Sequence, residues 1–166
     1  PRLPMLEQVV SIDGPGFGAL DFLKLVHDHQ GPFVLEDTGP EDPALIIFTS
    51  GTTGPPKGAL HGHRVLLGHL PGVQMPHEFL PQPGDLMWTP ADWAWAGGLL
   101  NVLLPSLYFG VPVVAARFER FDPEAALGLM EKMKVRNAFI PPTALRMLKS
   151  ATGVTKRFNL SIRSIG

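Results

Sequence analysis

Ten consecutive residues, Thr49-Ser50-Gly51-Thr52-Thr53-Gly54-Pro55-Pro56-Lys57-Gly58, combine four hydroxyl side chains, three glycines and one lysine. A nucleoside triphosphate is a cluster of anionic oxygens, and holding it takes many N–H and O–H donors with little side-chain bulk. Gly51 and Gly54 let the backbone come close to phosphate, and Thr49, Ser50, Thr52 and Thr53 supply hydroxyls. Lys57 adds a mobile positive charge suited to the outer phosphates. The Walker A pattern is absent, because Pro56 precedes Lys57 and Gly58 follows it where Gly before and Ser or Thr after are required. Any one of these residues alone fits a surface turn; together they point to phosphate.

Other chemistries fit less well. His27-x-His29 and His61-x-His63 invite a metal reading, since alternate strand residues share a face, but no third ligand accompanies them. No metal is expected here. A Gly-x-Ser-x-Gly elbow is missing, so Ser50 does not read as a hydrolase nucleophile. The chain has no cysteine, which removes disulfides and thiolate chemistry and fits a reducing compartment such as the cytoplasm. Fourteen basic against fifteen acidic residues leave a net charge of −1, with no broad positive field for nucleic acid.

The elements that must position the loop follow from the apolar pattern. The 166 residues suit one domain, and 45% hydrophobic content is ample for a core. Residues 1–42 are broken by Gly-Pro pairs and read as a connecting segment with a short helix over 18–26. From Pro43 to Gly166, strand-length apolar runs alternate with helical stretches, which predicts an α/β layered fold. Ala44 to Phe48 reads as a strand entering the loop, and Gly58 to His61 as its return. A helix starting at Arg64 is expected to end near Pro71-Gly72, followed by a proline-rich irregular stretch to Gly84.

Asp85 to Thr89 then reads as a strand, Gly97 to Tyr108 as a buried helix and Val111 to Ala115 as the next strand. Trp93 to Ala116 carries no charge, long enough to raise a membrane span of about 20 residues. Pro105 and Gly110-Val111-Pro112 interrupt it, so helix then strand is the reading. Asp122, Pro123 and Glu124 form a helix start whose core face is Ala126, Leu129, Met130 and Met133. Asn137 to Ile140 is a strand, Thr143 caps a helix through Ala151, and Phe158, Leu160 and Ile162 alternate as a strand should.

At this point the sequence resembles the adenylate-forming, or AMP-binding, superfamily, in its acyl-CoA synthetase branch. The resemblance lies in Thr49 to Lys57, in Thr89-Pro90-Ala91-Asp92-Trp93-Ala94-Trp95 with Gly97-Gly98, in Leu103 to Pro112, and in Phe139-Ile140-Pro141-Pro142-Thr143. It implies part of the N-terminal domain of an enzyme that joins a carboxylic acid to AMP and passes the acyl group to coenzyme A. Thr49, Ser50, Gly51, Thr52, Thr53, Gly54 and Lys57 are then the ATP phosphate site. Trp93, Trp95 and Gly97 become candidates for the acyl pocket, with Trp95 equally suited to core packing, and Asp92 a helix cap. The substrates implied are ATP, coenzyme A and a short- to medium-chain acid.

The family's adenine, ribose and magnesium (Mg2+) ligands and its C-terminal lysine have no counterparts in these residues. These 166 residues alone are therefore expected to bind ATP weakly, to show no turnover, and to self-associate through exposed apolar edges. A non-catalytic ATP-binding module is the alternative reading.

Overall fold

A computed structural model of the chain describes residues 5–14, 16, 18–50 and 54–166. The chain divides into two compact units, Pro1–Asp37 and Thr38–Gly166.

In the first unit, β1 (Val10–Ser11) pairs in parallel with β2 (Leu20–Asp21), and α1 (Phe22–Asp28) follows directly. The Asp21 carboxylate accepts the Lys24 N–H at 2.9 Å, which starts the helix two residues after β2 begins. The helix expected over 18–26 thus sits later, because Leu20 is used by the ladder and Asp21 by the cap.

The second unit begins with an antiparallel hairpin of β3 (Pro43–Thr49) and β4 (Lys57–Gly62), where the apolar run Ala44 to Phe48 and the return over Gly58 to His61 are expected. Ile46 pairs with Leu60, Phe48 with Gly58 and Thr49 with Lys57. Side chains of directly paired residues share a face, so Ile46, Phe48 and Leu60 lie on one side and all three are exposed. Gly58 leaves them room: a Cβ there would lie 2.8 Å from Ile46 Cγ2 and 3.3 Å from the Phe48 ring.

Next comes α2 (Val65–Gln74), which runs through Pro71 instead of stopping at it. Pro71 lacks the N–H for one helical bond, but Leu70 and Val73 on either side of it are buried, and that packing holds the helix together.

Strands β5 (Met87–Trp88), β6 (Asn137–Ala138) and β7 (Ser164–Ile165) form a parallel sheet in the order β5-β6-β7, extended beyond β5 by a single bridge from Met87 to Val113. Successive strand residues point to opposite faces, and the core follows that rule. Met87 joins Val73, Leu80, Val102 and Val111 on one side. Trp88 joins Val114, Ala126, Leu127, Met130, Ala138 and Ile140 on the other. The sheet therefore has apolar packing on both faces, as parallel sheets do.

A continuous helix spans α3 (Ala96–Gly98), a π-helical segment (Leu99–Leu103) and α4 (Leu104–Phe109). Pro105 would clash with a carbonyl four residues earlier in a regular helix, and the wider π turn just before it relieves that crowding. Gly110, with φ 69°, ends the helix in the left-handed conformation, so the uncharged run is a helix and then extended chain. No helix among the described residues is long and apolar enough to cross a membrane.

On the far side, α5 (Pro123–Met133) begins as expected, Asp122 Oδ1 accepting the N–H of Glu124 at 2.8 Å and of Ala125 at 3.0 Å. Its buried face is Ala126, Leu127 and Met130; Leu129 is only partly buried and Met133 is exposed. α6 (Pro142–Ser150) starts one residue before Thr143 and has no side-chain cap, since the residue at the cap position is Pro141, whose side chain has no acceptor. The strand expected over 158–162 is also absent. A short helix, α7 (Val154–Arg157), precedes it, and Phe158, Leu160 and Ile162 pack on the core as extended chain without a ladder partner.

Candidate functional site

Two places in the second unit have the makings of a site: the hairpin loop and a cleft beside β5. The hairpin fixes both ends of the loop. Thr49 is the last residue of β3 and Lys57 the first of β4, and the ladder sets them opposite each other. Thr49 Oγ1 donates to the Lys57 carbonyl at 3.5 Å. The paired register puts both side chains on the face that also carries Ile47 and Ala59, and both are exposed. Among the described residues Lys57 has no carboxylate within ion-pair distance, so its charge is free for an anionic ligand. Gly54 has φ 113°, a conformation that L side chains rarely adopt, which explains glycine at that position. Gly51, Thr52 and Thr53, also expected to touch phosphate, lie outside the described residues. Ser50 is exposed at the exit of β3.

The cleft has a volume of about 610 Å³ and is lined by Thr89, Asp92 and Trp93 on one side and by Arg117 and Phe118 on the other. Both walls follow from the sheet. Thr89 leaves the C-terminal end of β5, and Arg117 leaves the extended segment that bridges to Met87 through Val113. Ligands of open α/β sheets gather outside the carboxyl ends of the strands, and the cleft lies there. Trp88, just before Thr89, is fully buried and meets the Phe118 ring edge-on with centroids 6.3 Å apart, which anchors both walls. Thr89 Oγ1 accepts the Ala91 N–H at 3.0 Å and Asp92 Oδ1 the Ala94 N–H at 2.8 Å, so the 89–94 segment is held by its own side chains. Asp92 makes this local turn and does not cap α3, whose preceding residue is Trp95.

The three residues expected near an acyl pocket are not brought together. Trp93 lines the cleft. Trp95 is 72% exposed, which removes it from the core of this unit. Gly97 faces Phe139, where a Cβ would meet Cε1 at 3.3 Å, and Gly98 touches the Asp92 carbonyl so closely that a Cβ would sit 2.5 Å from its oxygen. Arg117 was not singled out from sequence. Its signal was present, as the first charge after the uncharged run and at the C-terminal end of a predicted strand. Among the described residues no three His, Cys, Asp or Glu side chains are grouped to hold a metal ion.

Residues 1–164 match the family of AMP-binding enzymes. Over 132 residues the chain is 33% identical to acetyl-coenzyme A synthetase 2 of Debaryomyces hansenii, covering 76% of this chain and 19% of the relative. The fold superposes on the crystal structure of the anthranilate CoA ligase AuaEII in complex with anthranoyl-AMP, with a TM-score of 0.77 and 23% identity, covering 96% of this chain and 31% of that one. It also superposes on ATP-bound MatB from Rhodopseudomonas palustris, with a TM-score of 0.63 and 26% identity over 81% of this chain and 25% of that one. The chain thus spans about a fifth of the length of the curated relative it matches.

Proposed function

The chain belongs to the AMP-binding enzyme family, and from that premise we propose that the protein activates a carboxylic acid with ATP and transfers the acyl group to coenzyme A. The observation that carries the reading is the hairpin. Its register sets Thr49 and Lys57 side by side at the mouth of a hydroxyl- and glycine-rich loop, with the lysine unpaired by any described carboxylate. Residues 43–166 are the nucleotide-binding part on this reading, and 1–42 a connecting segment.

In the first half-reaction a carboxylate oxygen attacks the α-phosphorus, the bond to the bridging oxygen breaks, and pyrophosphate leaves with the electron pair. The chain's task is to place two anions against each other and to stabilise charge on the leaving group. Thr49, Ser50, Thr52 and Thr53 would donate hydroxyl hydrogen bonds to the β- and γ-phosphates, Gly51 and Gly54 would open the backbone to them, and Lys57 would supply the balancing charge. In the second half-reaction the thiolate of coenzyme A attacks the acyl carbon and AMP departs. Magnesium would arrive with ATP, and the described residues offer it no acidic cluster, so no step is assigned to it here.

The acid would be small and aliphatic, on the strength of the acetyl-coenzyme A synthetase likeness. Trp93 and Gly97 are proposed to border its pocket, and Trp95 to meet a neighbouring surface of the whole protein. The test is pyrophosphate release by the full-length protein supplied with ATP, coenzyme A and aliphatic acids from acetate to octanoate. Acid-dependent release with formation of the acyl-CoA is the expected result. ATP binding without release for any acid would leave only a non-catalytic binding module.

A further inference from the structure

Away from the hairpin and the cleft, the second unit buries a connected set of polar groups behind the sheet. His77 is 2% exposed, and its Nδ1 lies 2.8 Å from the Ser164 hydroxyl of β7. The Asp85 carboxylate is buried and receives Arg163 Nη2 at 3.0 and 2.9 Å, Arg163 Nε at 3.2 Å and the Gln82 N–H at 2.7 Å. Asn137 of β6 completes the set. With its amide turned so that both atoms find complementary partners, Nδ2 donates to Asp85 Oδ1 at 2.8 Å, while Oδ1 accepts from Arg163 Nη2 and from the Ser164 hydroxyl, each at 2.9 Å. In that arrangement Ser164 Oγ accepts from His77 Nδ1–H, and the neutral imidazole is satisfied on that side.

We propose that His77 is an acid-released latch: neutral, it seats residues 75–85 on the β6–β7 edge, and on gaining a proton it lets that segment go. The added proton has one place to go, Nε2, which faces Gly166 so closely that a Cβ there would lie 2.9 Å away. No hydrogen-bond acceptor for Nε2 is found among the described residues. The charged groups around the ring are Arg163 and Asp85, with Glu78 bonded to Arg163 Nη1 at 3.0 Å and Arg136 Nε 3.9 Å from Asp85. Asp85 is already engaged by Arg163, so an imidazolium would meet a guanidinium whose carboxylate is taken. Burial first, and Arg163 second, push the His77 pKa below its ordinary 6.5, with Asp85 opposing them.

The segment is anchored by buried Leu80 and by Asp85, and just before Leu80 its backbone is strained. Glu78 and Phe79, the two residues after His77, have φ of 53° and 62°, left-handed conformations that L residues adopt only when their surroundings hold them. Because the seated form has the lower pKa, its stability is complete above about pH 6.5 and is lost as pH falls below that value toward the seated pKa. With the released histidine titrating at the ordinary 6.5, opening is favoured more at pH 5.5 than at pH 7.5, by at most about tenfold.

Hydrogen exchange of the full-length protein at pH 7.5 and 5.5, corrected for intrinsic exchange, tests this independently of any acid activation. Amides of 77–85 are expected to lose protection at the lower pH in the native protein, by up to about tenfold, and to be indifferent to pH in His77→Gln. Equal losses in both proteins, or none in the native one, would overturn the latch. Should His77→Gln not fold, imidazole NMR of the native protein decides: titration below 6.5 supports the latch and titration at or above 6.5 overturns it.

Discussion

Thr49 and Lys57 face each other across the last rung of the β3–β4 ladder, and the Thr49 hydroxyl reaches the Lys57 carbonyl at 3.5 Å. That bond is long, so the hydroxyl contributes little to the hairpin and stays available for a better acceptor. Thr49→Val keeps the shape and removes the hydroxyl. Its stability in urea should change by less than about 0.5 kcal/mol, whereas the affinity of the full-length protein for ATP should fall roughly tenfold, the worth of one hydrogen bond to a charged group. Equilibrium binding and urea unfolding measured side by side check both halves.

Gly98 and Gly97 are neighbours with opposite tolerance. A Cβ at Gly98 would lie 2.5 Å from the Asp92 carbonyl oxygen and 2.9 Å from its carbon, both backbone atoms that cannot swing away. Gly98→Ala should therefore destabilise by about 2 kcal/mol despite the better helix propensity of alanine. At Gly97 the obstacle is the Phe139 ring edge at 3.3 Å, a side chain that can shift a few tenths of an ångström. Gly97→Ala should cost less than about 1 kcal/mol, and thermal melts of the two variants should separate accordingly.

Asp122 accepts two orphan N–H groups at the start of α5. Asp122→Ala should cost about 1 kcal/mol, and Asp122→Asn, which keeps an acceptor oxygen, should recover most of it. Urea midpoints at constant slope would measure this.

Lys134 ends α5 with φ 57° and gives its N–H to the Glu131 and Met130 carbonyls, a position where glycine avoids the Cβ clash. Lys134→Gly is expected to raise stability by up to about 1 kcal/mol in the same measurement.

The parts of the fold that could be read from sequence are those in which local chemistry and packing agree. Asp122-Pro123-Glu124 carries its helix start in its own side chains, and Ala44 to Phe48 with its return strand closes on a loop that must turn. Pro71 misled because the burial of Leu70 and Val73, invisible locally, outweighs one missing helical bond. Phe158, Leu160 and Ile162 misled for a related reason: alternation reports which side is buried, and here burial occurs without a partner strand. The proposed phosphate loop stands out in the sequence because its hydroxyl, glycine and lysine residues are contiguous. Arg117 is not singled out by the sequence, since it comes to line the same cleft as Thr89 and Trp93 only through strand order, which no local pattern specifies.

Calorimetric titration of the full-length protein and its Lys57→Ala variant with ATP and with AMP tests the central claim most directly. The loop is proposed to hold the β- and γ-phosphates, so ATP affinity should drop at least about tenfold in the variant while AMP affinity stays the same. Unchanged ATP affinity, or an equal loss for both nucleotides, would contradict it.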